Sequence, residues 1–120
     1  MRITVRPRIR IVRYDGTILL GPGKADLLEA IARMGSIRAA AESLEMSYMR
    51  AWSMVRTMNA AFRSPLVEKI RGGAEQGGAR LTERGERVLA LYRRMETRAE
   101  KAIEPLWEKM REDLDILRRR

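Results

Sequence analysis

Apolar and basic residues alternate over the first part of the chain. Isoleucine and valine occupy odd positions and arginine occupies even ones, a period of two that is typical of a strand with one apolar and one basic face. We therefore predict strand structure over Arg2–Leu20, with Pro7 separating an edge piece or loose arm from the rest. Asp15-Gly16, between Tyr14 and Thr17, predicts a two-residue hairpin turn of type I′. The predicted apolar face comprises Ile3, Val5, Ile9 and Ile11.

Three helices follow, each marked by apolar residues three or four positions apart. The first opens at Gly21-Pro22 and ends at Gly35, and Ser36 caps a short, alanine-rich second helix. Glu45 and Met46 form a tight turn, after which the third helix extends from Ser47 to Phe62. The positions predicted to be buried are Leu27, Leu28, Ile31, Met34, Ile37, Ala40, Ala41, Leu44, Ala51, Trp52, Val55, Met58 and Phe62.

A glycine-rich hairpin comes next in the chain. Ser64-Pro65 ends the third helix, and two strand-like segments, Leu66–Ile70 and Ala79–Leu81, flank the loop Gly72–Gly78. This loop lacks the Gly-Lys-Ser/Thr ending of a P-loop and does not lead from a strand into a helix. We therefore interpret it as the tip of a hairpin and not as a nucleotide site.

The last segment is a long amphipathic helix capped by Thr82. Its apolar residues are spaced three or four apart and form a seam longer than one small domain covers, so we predict that the seam packs on a second chain. Pro105 lies inside this run and is expected to kink the helix or divide it in two. The seam comprises Val88, Tyr92, Met95, Ala99, Ala102, Leu106, Met110, Leu114 and Leu117.

This order of elements predicts a fold class. Two short helices joined by a tight turn form a helix-turn-helix, and a basic hairpin after the third helix forms a wing. We predict a mainly α protein with small β hairpins, namely a winged helix-turn-helix with a long C-terminal dimerisation helix. Residues 1–81 form the DNA-binding part with its N-terminal hairpin, and residues 82–120 form the long helix of the same domain unit.

Charge and composition limit the classes of molecule that the chain can bind and the chemistry that it can perform. The 25 lysines and arginines exceed the 16 aspartates and glutamates, giving a net charge of +9, and a cationic face attracts polyanions. Arginine supplies most of this charge, and its forked guanidinium suits phosphate contact. The chain has no cysteine and no histidine, which excludes disulfides, zinc fingers and Cys or His nucleophiles. We expect no catalysis, no cofactor, no metal, no membrane span and a cytoplasmic location.

The second helix of a helix-turn-helix fits the major groove, and its N-terminal residues reach base edges. Arg50 can pair with guanine O6 and N7, and Ser47 or Tyr48 can donate to phosphate or base. Ser36 begins a helix whose free N–H groups suit a phosphate, and cations beside the glycine loop can straddle the DNA backbone. The predicted DNA-binding residues are Ser36, Arg38, Ser47, Tyr48, Met49, Arg50, Ser53, Arg56, Lys69, Arg71 and Arg80.

Several segments resemble the DNA-binding domain of the ModE-type molybdate-responsive regulators. They are Gly35–Ala41, Met46–Trp52, Met58-Asn59, Pro65–Glu68, the Gly72–Gly78 loop and Leu81–Gly85. The resemblance extends from about Arg8 to Met95. It implies a winged helix-turn-helix similar to the LysR-type one, with DNA binding and with dimerisation through the N-terminal strand region and the last helix.

Two departures from that family limit what the resemblance implies. Family members usually carry glycine in the tight turn where this chain has Glu45, so a positive φ there is expected to reshape or strain the turn. Full-length family members continue into an oxyanion-binding domain, and the sequence ends at Arg120. We therefore do not expect molybdate sensing to carry over.

These observations predict a homodimeric, sequence-specific transcription regulator that binds double-stranded DNA at a palindromic operator. Its half-sites are expected about one helical turn apart, or a multiple of that spacing. One alternative is a nucleoid-type architectural protein with little sequence preference. Another is a protein-interaction module whose long helix holds a partner. A third is an oxyanion-linked regulator that senses molybdate directly or through a separate effector domain; the sequence identifies no effector.

Overall fold

The computed structural model describes residues 3–70 and 77–114. Within these residues the chain forms four helices and two antiparallel hairpins, which confirms the predicted fold class. The elements in order are β1 (Ile11–Val12), β2 (Ile18–Leu20), α1 (Pro22–Met34), α2 (Ile37–Ser43), α3 (Tyr48–Ala61), β3 (Val67–Ile70), β4 (Gly78–Leu81) and α4 (Glu83–Arg111). No helix in the described ranges has the length and apolarity that a membrane crossing requires.

Local signals place most of the element ends where the sequence predicted them. Pro22 stands in the first turn of α1, where a missing N–H leaves no bond unmade, and Gly35 ends that helix at φ 82°. The hydroxyls of Ser36, Ser47 and Thr82 each accept a backbone N–H at the start of α2, α3 and α4. Each capping bond satisfies one of the N–H groups that a helix start leaves without a partner.

The core lies where α1, α2 and α3 meet the two hairpins. It is entirely apolar among the described residues and comprises Leu20, Ala25, Leu27, Leu28, Ala30, Ile31, Ile37, Ala40, Ala41, Ala51, Val55, Met58, Leu66, Val67, Ala79, Leu81 and Tyr92. Leu44, Trp52 and Phe62 pack against it but are only half-buried. The prediction for Met34 was wrong: this last residue of α1 is exposed because it lines an open groove beside Ser36.

The N-terminal hairpin differs from the prediction in length and in turn type. Its strands are short, and only Gly16 has a positive φ, of 94°, whereas a type I′ turn needs positive φ at both central residues. The amide of Gly16 donates to the Arg13 carbonyl at 2.8 Å, and the Arg13 amide donates to the Thr17 carbonyl at 2.8 Å. This is a three-residue loop with a bulge at glycine, in which the Asp15 carboxylate accepts the Thr17 amide at 3.0 Å.

Residues 3–10 keep the predicted two-faced pattern although they form no ladder. Odd positions are half-buried and even positions are exposed, but the pattern fails at Ile11, which is exposed. This arm runs along α4, where Ile3 and Val5 lie beside Trp107. Further along, the Tyr92 hydroxyl donates to the Ile9 carbonyl at 2.6 Å. The apolar face of the arm is therefore covered by α4 and not by a second strand.

The long helix α4 runs as one helix through Pro105, so of the two outcomes predicted for this proline, a kink or a division, the division does not occur. A proline removes the hydrogen bond to the carbonyl four residues earlier, here that of Lys101. Both positions are exposed, so water can take the place of the missing donor. The helix ends at Arg111, before Leu114, and Leu117 lies outside the described residues.

A cluster of ion pairs joins α1 to α4. The Arg93 guanidinium contacts Asp26 and Glu29 on α1, each at 2.8 Å, and Glu96 on its own helix at 3.0 Å. Partial burial alone would lower the pKa of Arg93, but the hydrogen bonds to the three carboxylates raise it overall. The cluster fixes the long helix against the helical body.

Candidate nucleic-acid interface

The outer face of α3 is polar, cationic and open to solvent. Met49, Arg50, Ser53 and Arg56 are all exposed, while Ala51, Val55 and Met58 on the opposite side are buried in the core. The Ser47 hydroxyl accepts the Arg50 amide at 3.0 Å, which fixes the backbone of the first turn. The four exposed side chains therefore project from a helix start of defined geometry.

The turn between α2 and α3 is tight because of Glu45. This residue adopts the left-handed conformation at φ 57°, and the Met46 amide donates to the Ala41 carbonyl at 3.0 Å. Ala40, Ala41 and Ala51 are fully buried, and their small side chains let α2 and α3 pack closely. The two helices therefore pack together as a helix-turn-helix.

An open groove of about 570 Å³ lies between the start of α2, the start of α3 and the hairpin β3–β4, which we call the wing. Two cations stack on aromatic rings of α3 beside it. The Arg38 guanidinium lies 4.4 Å from the centre of the Tyr48 ring, and the Lys69 ammonium lies 4.8 Å from the centre of the Trp52 ring. Such stacking is worth about 0.5–1 kcal/mol at exposed sites, and it holds both charges at the groove.

Backbone contacts fix the wing to the helical body. The Ala79 amide donates to the Gly35 carbonyl at 2.9 Å, and Ser36 pairs with Gly78 as an isolated bridge. Within the wing, Glu68 lies opposite Arg80, and the two side chains form an ion pair at 2.8 Å. The wing therefore begins directly beside the start of α2.

Asn59 connects α3 to the wing, a role that the sequence did not predict. Its amide oxygen accepts the N–H of Leu66 at 2.8 Å and that of Val67 at 3.1 Å, and its amide nitrogen donates to the Val67 carbonyl at 3.1 Å. A polar residue close to the helix-ending Ser64-Pro65 was the available signal. Burial of the two amides became evident only from the fold.

Lys24 is a second residue whose role the sequence did not predict. Its ammonium donates to the Ile18 carbonyl at 2.9 Å. Burial, and to a smaller extent the positive charge of Arg50, lowers the pKa of Lys24. Lys24, in the first turn of α1, therefore adds a positive charge close to Arg50 in the first turn of α3.

The structure describes ten of the eleven predicted DNA-binding residues. Met49, Arg50, Ser53 and Arg56 share the outer face of α3, and Ser36, Arg38, Tyr48 and Lys69 surround the groove. The hydroxyls of Ser36 and Ser47 accept capping bonds, so each can offer only its O–H to a DNA oxygen. Arg80 lies on the wing in its ion pair with Glu68, and Arg71 lies outside the described residues.

The electrostatics of this face favour an anion. Among residues 3–70 and 77–114, no ion pair involves Arg38, Arg50, Arg56 or Lys69. The same residues contain no cluster of three or more carboxylates that could hold a metal ion. The four positive charges on α3 and around the groove thus have no acidic partner within this part of the chain.

Comparison with known proteins agrees with this geometry. Residues 24–86 match the family model described as bacterial regulatory helix-turn-helix protein, lysR family. The match starts in α1 and ends at the beginning of α4, so it covers the helix-turn-helix and the wing.

Individual relatives match over most of the chain's length. The chain is 43% identical over 86 residues to the molybdenum transport protein ModE of Azotobacter vinelandii, and the match covers 72% of this chain and 32% of that protein. It is 42% identical over 88 residues to the molybdenum-pterin-binding protein MopA of Rhodobacter capsulatus, covering 73% and 33%. It is 38% identical over 95 residues to the DNA-binding transcriptional dual regulator ModE of Escherichia coli K12, covering 79% and 36%. The chain spans about a third of the length of these relatives.

Proposed function

Because the chain belongs to the lysR family of bacterial regulatory helix-turn-helix proteins, we propose that it is a sequence-specific, double-stranded DNA-binding transcription regulator. The observation that carries the proposal is the exposed, unpaired cationic face of α3. An α-helix about 10–12 Å wide fits the B-DNA major groove, which is about 12 Å wide. We therefore call α3 the recognition helix and place its first two turns against base edges.

Each side chain of this face has a distinct part in the proposal. Arg50 forms the bidentate pair with guanine, since its guanidinium is exposed and its backbone is fixed by the Ser47 cap. Ser53, about one turn further along, and Arg56, nearly two turns further along, contact the same groove or its edge. Sequence preference arises from these contacts, because phosphate contacts alone carry no sequence information.

The wing and the groove beside it bind the flanking DNA backbone in this proposal. Arg38 and Lys69 are held by aromatic rings at the groove. Arg80 lies on the wing and must break its ion pair with Glu68 to contact a phosphate. The proposed role of Arg71 rests on its position in the sequence alone. These contacts supply affinity and orientation and are independent of base sequence.

The proposed assembly is a homodimer formed through α4 and the N-terminal region. Four large apolar side chains of α4, which we call the outer stripe, are exposed: Leu91, Met95, Leu106 and Met110. Exposed apolar side chains repeated along one helix mark an association surface. A two-fold dimer would present two recognition helices to a palindromic operator. Sedimentation at micromolar concentration should give twice the chain mass; a single chain mass would refute the dimer.

Catalysis, a cofactor and a membrane have no part in this proposal, and a cytoplasmic location follows from the DNA partner. The names of several relatives refer to molybdenum, but the matched residues form the DNA-binding fold. An oxyanion site on this segment is therefore not proposed.

The primary test is a binding selection against a randomised duplex library at about 150 mM salt, where non-specific affinity is weak. Recovery of a palindrome is the expected result, and its half-site spacing would measure the distance between recognition helices. Retained binding without a motif would support an architectural protein instead. Absence of binding would favour a protein-interaction module.

Variants separate base contacts from backbone contacts. Arg50→Ala should cost about 1–3 kcal/mol on the selected operator and relax preference at one base pair. Lys69→Ala should weaken all sequences alike and reduce the salt slope by about one unit. Lys101→Ala removes the same charge from α4 instead of the wing and should leave the salt slope unchanged. An equal loss for Arg50→Ala on random DNA would show that Arg50 contacts only phosphate.

A further inference from the structure

We infer that Met49 is a specificity-determining residue that packs on the 5-methyl group of a thymine in the major groove. The inference rests on the proposed function and deepens it, because it assigns an apolar contact to the same recognition helix. It also specifies which base the side chain selects.

The position of Met49 supports a base contact. The residue is the second of α3 and is 72% exposed. It lies four residues before Ser53 and seven before Arg56, so the three side chains follow one line along the helix. N-terminal residues of a recognition helix are those that reach base edges. Any base contact made by Ser53 therefore brings Met49 into the same groove.

The chemistry of the side chain limits what it can contact there. A thioether is a weak acceptor with no donor, so a phosphate oxygen offers it no hydrogen bond. Thymine alone presents an apolar group, its 5-methyl, on the major-groove edge of a natural base pair. Methionine is flexible and polarisable, which allows its terminal methyl to adapt to that contact.

The surroundings of Met49 argue against a protein interface. Exposed methionines on α4, Met95 and Met110, share the outer stripe with two leucines. Met49 instead lies beside Arg50 and on the same line as Arg56, so its neighbours on this surface include two cations. Burial of this surface in a protein contact would desolvate charges that have no acidic partner among the described residues. DNA supplies both the phosphates for those charges and the methyl group for Met49.

The test uses the operator recovered by selection, with each thymine replaced singly by deoxyuridine. This replacement removes the 5-methyl group and leaves every hydrogen-bonding group of the base pair unchanged. Equilibrium affinities are measured for the full chain and for Met49→Ala and Met49→Leu. Because the side chain is exposed, both variants should keep the fold, which circular dichroism verifies.

One thymine in each half-site should be sensitive to replacement, with about a fourfold loss of affinity, the value of one buried methyl-sized group. Met49→Leu should keep this sensitivity and Met49→Ala should lose it. If no thymine is sensitive, or if Met49→Ala keeps the full penalty, the assignment of Met49 is refuted while the regulator proposal stands. A selection that yields no motif refutes the regulator proposal itself and the Met49 assignment with it.

Discussion

Replacing Asn59 with alanine should loosen the wing and destabilise the whole fold. The substitution deletes three hydrogen bonds between α3 and the start of β3. Leu66 is fully buried and Val67 is 4% exposed, so their amides have little access to water once the Asn59 side chain is gone. An unsatisfied buried donor costs about 1–3 kcal/mol.

The magnitude follows from counting the groups left without partners. Two amides lose their acceptor and one carbonyl loses a donor, but Asn59 itself is only half-buried, so its removal admits some water. We expect a loss of about 2–4 kcal/mol in the free energy of unfolding and a decrease in Tm on the order of 10 °C or more. Affinity for DNA should fall as well, because the wing loses its link to the recognition helix.

The assay is urea unfolding followed by circular dichroism at one fixed protein concentration, since association would shift the midpoint. Thr57→Ala is the matched control on the same helix. The Thr57 hydroxyl donates to the Ser53 carbonyl at 3.1 Å, a back-bond within the helix whose loss leaves no amide without a partner. Its effect should lie within about 0.5 kcal/mol of zero. If Asn59→Ala costs no more than Thr57→Ala, the link between α3 and the wing is energetically irrelevant.

Four substitutions that remove or introduce glycine test the backbone. A Cβ at Gly85 would overlap the Leu66 carbonyl, so Gly85→Ala should lower the free energy of unfolding by about 3 kcal/mol. The control is Gly23→Ala, whose Cβ meets only an ordinary contact at 3.9 Å and should stabilise the fold by about 0.5–1 kcal/mol. Equal effects of the two substitutions would refute the close approach at Gly85. Glu45→Gly should raise stability by about 1 kcal/mol because glycine adopts positive φ without strain. The control in the same unfolding assay is Glu42→Gly within α2, which should lower stability by about 0.5–1 kcal/mol. A loss of stability for Glu45→Gly would contradict the backbone strain at Glu45.

The sequence by itself determined the features that depend on short-range interactions. A serine or threonine cap acts on the residue three positions later, so Ser36, Ser47 and Thr82 could be identified without a fold. The same holds for Gly35 at the end of α1 and for the exposed face of α3, which helical periodicity assigns. The segments that resemble a known DNA-binding domain are short runs of the chain, so the resemblance and the function class that it implies could also be identified without a fold.

Only the tertiary structure decided what depends on distant parts of the chain. Arg93 meets Asp26 across 67 positions and Tyr92 meets the Ile9 carbonyl across 83, and no spacing rule predicts such pairs. The arm was expected in a strand, but α4 covers its apolar face instead. Periodicity showed that residues 3–9 need cover, because burying one face is a local requirement of the side chains. Which element supplies that cover depends on how the whole chain packs, because every apolar surface of the fold is a possible partner for this face.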